Sequence, residues 1–225
     1  AWMIYDASRI PDMIAKALRI AFSGRRGPVH LTIPVDIQEQ KVNIENITFY
    51  NPNEYRNQSE SVMSQSQIIK IISVLNKAYK PIIIIGNGCD PFNIKNKLRN
   101  FLNVTKIPTF TQGNARGIIS DEYKYSVGFY DSGLNKATKK IKDSDLVILI
   151  GTKQDLTLGY GMPPVIAESA KLIQIDTSEN EIGKNRGVFL GASGDIGGIL
   201  SQMYDESLKY KWGNNKWLEE LQNET

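Results

Sequence analysis

The glycines and acids of this chain recur in one kind of place, directly after short apolar runs. Gly86-Asn87-Gly88 follows Ile82-Ile83-Ile84-Ile85, and Gln112-Gly113 follows Pro108-Thr109-Phe110-Thr111. Gly151-Thr152-Lys153-Gln154-Asp155 follows Leu146-Val147-Ile148-Leu149-Ile150. Asp176 follows Leu172-Ile173-Gln174-Ile175, and Gly191 and then Gly194-Asp195 follow Val188-Phe189-Leu190. Glycine in such a position lets a backbone approach a phosphate, and an aspartate there accepts hydrogen bonds from ribose hydroxyls. Taken singly, each has a plainer explanation: glycine suits the turns between strands and helices, and Asp176 and Asp195 can cap helices. Taken jointly, the pattern points to a nucleotide-sized ligand.

Other chemistries find less support. Gly86-x-Gly88 is followed by Pro91 where a dinucleotide fingerprint needs its third glycine, and the acid due about 20 residues further on is missing. That disfavours a small NAD-dependent oxidoreductase. Neither a Gly-x-x-x-x-Gly-Lys-Ser/Thr loop nor a Gly-x-Ser-x-Gly elbow occurs. One cysteine, Cys89, and one histidine, His30, exclude an internal disulfide, a cysteine-built zinc site and a His-rich metal centre. Cys89 reads as a small turn residue and His30 as a structural strand residue. No catalytic residue and no metal ligand is assigned.

The net charge of +3 over 225 residues is mild, and lysines alternate with acids, as in Lys139, Lys140, Lys142, Asp143 and Asp145. No basic stripe with interleaved aromatics is present, which argues against nucleic acid. No apolar run nears the ~18 residues of a membrane span, and residues 1–9 do not read as a secretory signal. The expected compartment is the cytoplasm.

The elements that must position these residues alternate. Residues 8–22 carry Ile10, Ile14, Ala17, Leu18, Ala21 and Phe22 at helical spacing, and residues 29–33 form a short β-rich run. Residues 38–65 are polar and aperiodic, a linker by composition. A helical stripe of Ile68, Ile69, Ile71, Ile72 and Leu75 then leads into strand 82–85. Further helices are expected at 93–103 and 134–141, and strands at 108–111, 146–150, 172–175 and, more weakly, 188–190. A closing helix begins after its N-cap Asp195. Strand and helix in alternation, with wholly apolar strands, predict an α/β fold: a parallel Rossmann-like sheet of about six strands with helices on both faces.

Residues 23–36, Ser23-Gly24-Arg25-Arg26-Gly27-Pro28-Val29-His30-Leu31-Thr32-Ile33-Pro34-Val35-Asp36, resemble the segment that closes the pyrimidine-binding domain of thiamine-diphosphate-dependent enzymes. Arg26 stands where that segment usually has proline. Residues 66–204 are similar to the central domain that follows in those enzymes. The matching pieces are Pro81-Ile82-Ile83-Ile84-Ile85-Gly86-Asn87-Gly88, Ile107-Pro108-Thr109, Arg116-Gly117-Ile118-Ile119, residues 145–153 and, most specifically, residues 172–185 followed by Gly194-Asp195.

Within the family the chain looks most like the acetolactate synthase group. Gly159-Tyr160-Gly161-Met162-Pro163-Pro164 also resembles the oxalyl-CoA decarboxylase and 2-hydroxyacyl-CoA lyase branch. The resemblance implies a division into residues 1–37, the tail of the pyrimidine-binding domain; 38–65, a linker; 66–209, the central nucleotide-binding domain; and 210–225, the start of a second linker. It implies FAD or ADP in the central domain, lined by Arg25, Gly86, Gly88, Lys153, Asp155, Asp176 and Asp195. Lys153 stands where arginine is common, and residues 129–133 lack the usual Gly-x-His-Gly.

Thiamine diphosphate and magnesium would be held elsewhere in the parent enzyme, because no Gly-Asp-Gly occurs here. The chain is thus expected to be a piece of a larger transferase or lyase that joins 2-oxo acids, as in branched-chain amino acid biosynthesis. Its expected partners are the pyrimidine-binding and diphosphate-binding domains of the same parent, itself a homodimer or homotetramer. The reading from another class is a non-catalytic nucleotide-binding scaffold module.

Overall fold

The computed structural model describes residues 1–55, 61–213 and 216–225. The chain divides into two compact units, Ala1–Ser59 and Glu60–Thr225.

In the first unit, strand β1 (Trp2–Met3) pairs in parallel with β2 (Leu31–Thr32). Between them lies helix α1 (Ile10–Ala21), with Pro11 in its first turn, where a missing N–H costs nothing. The helix predicted over 8–22 is therefore α1 preceded by a 3₁₀ turn, Ala7–Arg9. Short helices α2 (Val35–Gln38) and α3 (Pro52–Tyr55) follow. Its core is small: Ile4, Ala7 and Ile37, with Ile10, Met13, Leu31 and Ile33 packed around them.

The second unit opens with α4 (Gln65–Lys77), started by a reciprocal capping box between Ser64 and Gln67. Strand β3 (Pro81–Ile85) is followed by α5 (Pro91–Thr105), which Asp90 caps by accepting from the Phe92 N–H at 3.2 Å. Then come β4 (Thr109–Thr111), β5 (Ser126–Phe129), a 3₁₀ run at Lys136–Asp143, β6 (Leu146–Ile150), β7 (Lys171–Asp176) and β8 (Leu190–Ser193). Helix α6 (Ile196–Ser207) and a terminal helix α7 (Lys216–Gln222) complete the unit.

The six strands form one parallel sheet in the order β5-β4-β3-β6-β7-β8. This is the architecture that the alternation predicts. At its centre Ile82 lies opposite Val147, Ile83 opposite Ile148 and Ile84 opposite Leu149. Successive strand side chains point to opposite faces. Since none of Ile82 to Ile85 or Val147 to Ile150 has exposed surface, both faces of the sheet centre are covered. Helix α6 packs on α5 and α4, while α7 packs on β5 and the 3₁₀ run.

Three local differences from expectation concern one helix and two strands. The helix expected at 134–141 is a 3₁₀ run shifted to 136–143, because buried Asn135 caps it through the Ala137 N–H at 3.0 Å. The last strand lies at 190–193 rather than 188–190. Strand β5 went unseen because Ser126-Val127-Gly128-Phe129 has no run of β-branched residues. Residues 210–225 include α7, whose Trp217, Leu218 and Leu221 are buried in the main core.

Candidate functional site

The carboxyl ends of β3, β4 and β6 are tied to one another. Gly86 N–H donates to Ile150 C=O at 2.9 Å and Gly88 N–H to Gly151 C=O at 2.8 Å. The Thr152 hydroxyl returns a bond to Ile84 C=O at 2.9 Å. A Cβ on Gly86 would stand 2.6 Å from Thr152 Oγ1, so glycine is needed for two strand exits to close together. Asn87 Oδ1 accepts from Asn114 N–H at 2.6 Å, joining the exit of β3 to that of β4.

The exits of β6 and β7 are joined by amides. Gln154 and Gln174 are buried, and Gln154 Nε2 donates to Gln174 Oε1 at 3.1 Å. Gln174 Nε2 donates to Thr152 C=O at 3.1 Å, and its Oε1 also accepts from Gly183 N–H at 2.9 Å. Gln154 Oε1 accepts from the N–H groups of Asn185 and Arg186, the latter at 2.7 Å. Neither amide leaves a polar atom stranded, which lets Gln174 sit inside the sheet and Gln154 stay buried just beyond it. Arg186 then fans out to the carbonyls of Gly161 (2.7 Å), Ile166 (3.4 Å), Ala167 (2.9 Å), Glu168 (3.0 Å) and Ala170 (3.0 Å). It fixes the whole loop between β6 and β7, including Gly159, Tyr160 and Gly161, three successive residues at positive φ.

Against this frame the predicted lining residues fall into groups. Gly86 and Gly88 lie in the β3 turn, beside Gly151 and Thr152. Lys153, at the exit of β6, pairs with Glu181 at 3.3 Å. Asp155 is exposed, and its Oδ1 accepts from Thr157 N–H at 3.0 Å. Asp176 has no exposed surface; its Oδ1 accepts from Ser178 N–H at 3.0 Å, and it shapes the turn after β7. Asp195 caps α6 by accepting from Gly198 N–H, and takes a second bond from Asn93 Nδ2 at 2.9 Å. The fold thus gathers Gly86, Gly88, Lys153 and Asp155 around the β3 and β6 exits. Asp176 and Asp195 stand at the exits of β7 and β8. Arg25 belongs to the first unit, half-buried in the turn after α1.

Sequence reading missed Thr152, Gln154, Gln174 and Arg186, the residues that hold the exits in place. A signal existed for the glutamines: Gln174 interrupts an otherwise apolar strand, and Gln154 follows one. A polar side chain in that setting must find a buried partner. No group of His, Cys, Asp and Glu able to hold a metal ion occurs among the described residues. No described helix is long and apolar enough to cross a membrane.

A family model, "Thiamine pyrophosphate enzyme, central domain", matches residues 68–203. The chain belongs to that family. Its relatives include human 2-hydroxyacyl-CoA lyase 1, 26% identical over 215 residues, covering 94% of this chain and 36% of the lyase. The 2-hydroxyacyl-CoA lyase of Arabidopsis thaliana is 27% identical, covering 96% and 38%. The acetolactate synthase isozyme 2 large subunit of Escherichia coli K12 is 26% identical, covering 94% and 38%. The chain therefore spans little more than a third of these relatives' length. An X-ray structure from Mycobacterium smegmatis, described as a thiamin diphosphate-dependent enzyme, superposes with a TM-score of 0.70 at 18% identity. It covers 91% of this chain and 39% of the other, and supports the fold.

Proposed function

We propose that this central domain binds an adenine nucleotide, FAD or ADP, at the exits of β3 and β6 within an acetolactate-synthase-like parent. That parent would decarboxylate a 2-oxo acid and form a carbon–carbon bond with thiamine diphosphate and magnesium held by other domains. The observation that carries the reading is the convergence of two glycine turns, one cation and one exposed carboxylate at the mouth of a parallel sheet. Ligands of open parallel sheets bind there.

The electrostatics suit a swap of partners. Lys153 is 42% exposed, whereas its partner Glu181 is only 11% exposed and keeps a second cation, Lys184, at 3.8 Å. Turning the Lys153 ammonium toward a diphosphate therefore leaves Glu181 paired. Asp155, already at the surface, is the carboxylate best placed for a ribose, while Asp176 and Asp195 hold the turns on which the site rests. Gly86 and Gly88 keep the β3 turn close to the backbone of Gly151 and so keep the mouth shallow.

A second reading, an acyl-CoA lyase parent, draws on Gly159-Tyr160-Gly161-Met162-Pro163-Pro164 and on the lyases among the relatives. Cytoplasmic location and a dimeric or tetrameric parent belong to the same proposal.

Titrating the chain with FAD, ADP and NAD tests it. FAD or ADP should bind more tightly than NAD, and Lys153→Ala should weaken binding about tenfold, the loss of one charge-assisted contact of ~1.4 kcal/mol. FAD above ADP supports the synthase reading, and ADP above FAD the lyase reading. NAD binding tightest, or affinity unchanged in both Lys153→Ala and Asp155→Ala, would overturn the site.

A further inference from the structure

A cavity of about 290 Å³ lies between the exit of β5, the 3₁₀ run and the end of the loop after β6, lined by Tyr130, Ser132, Thr138, Lys139, Lys142, Pro164 and Val165. Small-molecule sites span about 300–1,000 Å³, so this one suits a compact ligand. Its chemistry is two-sided. Pro164, Val165 and the Tyr130 ring form an apolar wall, the ring held edge-on to Phe110 with centroids 6.4 Å apart. The rest of the lining is polar: the Ser132 and Thr138 hydroxyls and two lysines one turn apart.

Most of the polar groups that line it have no competing use. Tyr130 is 4% exposed, yet its hydroxyl makes no hydrogen bond among the described residues. Burial, helped by the nearby charge of Asp155, pushes the phenol up to about 12, so it remains a donor throughout the neutral range. The Ser132 hydroxyl is likewise unengaged, and neither Lys139 nor Lys142 forms an ion pair among the described residues. Thr138 is already committed to Asn135 C=O at 2.7 Å. No carboxylate lines the cavity. The nearest acids have other partners or other outlooks. Glu224 pairs with Lys140 at 3.6 Å, Glu224 and Asp143 line an adjoining hollow that Lys139 and Lys142 also border, and Asp155 Oδ1 serves Thr157. The Tyr130 hydroxyl, on an otherwise buried ring, opens on the cavity and, with two cations that form no ion pair among the described residues, offers donors to an anion.

We infer that this cavity binds a small aliphatic carboxylate, its oxygens between Lys139, Lys142 and the Tyr130 hydroxyl and its branched tail against Pro164 and Val165. A bare inorganic anion would leave the apolar wall uncovered, and an uncharged amide would leave both ammoniums unanswered. The inference stands on residues outside the proposed nucleotide set.

Backbone amide NMR of the ¹⁵N-labelled chain, titrated separately with isovalerate, isovaleramide and inorganic phosphate, tests it. Isovalerate should shift the amides of residues 130–142 and 164–165 saturably, and more tightly than either control. In the Lys139→Ala/Lys142→Ala double variant, whose two side chains are exposed, the affinity should fall at least tenfold with the remaining spectrum unchanged. Tyr130→Phe should weaken isovalerate several-fold while leaving phosphate untouched. Phosphate binding as tightly as isovalerate would reduce the site to a basic patch and overturn the proposal. So would equal binding of the amide, undiminished affinity in the lysine variant, or no saturable shift with isovalerate.

Discussion

At the scale of single residues, the exits of the sheet are governed by a few side chains with many bonds each. Arg186 donates to five carbonyls of one loop, and those carbonyls have little else to accept from. Arg186→Met keeps the bulk and removes the donors. It should cost about 2–4 kcal/mol, since each buried carbonyl left bare costs on the order of 1–3 kcal/mol and some will recover water. Urea titration would give the loss, and limited proteolysis should open first between residues 156 and 170. A loss under 0.5 kcal/mol would show that the loop holds itself. Tyr130 gives a second prediction at this scale. Burial raises its folded phenol to about 12 from the ordinary tyrosine value of 10.0. Folding therefore favours the protonated form. The unfolded chain ionises first, so stability is unaffected below pH 10 and falls as pH rises from about 10 to about 12. Tyr130→Phe should flatten that alkaline decline, read from melting temperature against pH, and leave neutral behaviour alone.

At the scale of elements, the pattern of buried side chains decides what could be read in advance. The strands at 81–85, 146–150 and 171–176 and the helices at 65–77 and 196–207 were legible, because central parallel strands are apolar throughout and their covering helices carry a 3.6-residue stripe. Ile84→Asp should abolish cooperative unfolding. Its side chain has no exposure, and an unpaired buried charge costs several kcal/mol against a typical total of about 5–15 kcal/mol. An unchanged melt would remove β3 from the centre.

Strand β5 and helix α7 were not legible, and they belong together. An edge strand presents unpaired carbonyls, which proteins must cover. Here Asn135 Nδ2 donates to Val127 and Phe129 C=O at 2.7 and 3.0 Å, and Gln222 Nε2 of α7 donates to Lys124 and Ser126 C=O at 3.1 and 3.0 Å. The strand is made by its neighbours' amides rather than by its own propensity, so no local pattern announces it. Trp217 anchors α7 at 3% exposure under the Lys80 ammonium, 4.7 Å from its ring centroid. Trp217→Ala should cost about 3–5 kcal/mol and raise hydrogen exchange in β5 as well as in α7. Faster exchange in α7 alone would separate the two elements. The candidate site follows the same division. The glycine turns, Lys153 and Asp155 stood out as residues placed after apolar runs, whereas Gln154, Gln174 and Arg186 act through partners 9 to 32 positions away. Such pairings become visible only once the strands are side by side.

At the scale of the whole molecule, the question is what a chain of this span can do alone. It carries a complete six-stranded sheet with its own core, and its length matches little more than a third of a 2-hydroxyacyl-CoA lyase or an acetolactate synthase large subunit. Thiamine chemistry needs the cofactor's diphosphate clamped through a metal ion and its pyrimidine ring activated by a carboxylate. A hard cation such as magnesium requires oxygen ligands brought together in near-octahedral array. Among the described residues no acidic cluster offers that array, and the sequence contains no Gly-Asp-Gly. The binding of a nucleotide by loops that already converge requires neither feature. The two functions should therefore separate: this chain should bind FAD or ADP while forming no acetolactate from pyruvate, even with thiamine diphosphate and magnesium at millimolar concentration. A colorimetric assay for acetoin after acid decarboxylation, run beside the nucleotide titration on the same preparation, reads both. Acetolactate above the no-protein blank, lost on adding a chelator, would place a working thiamine site within these 225 residues and overturn the separation.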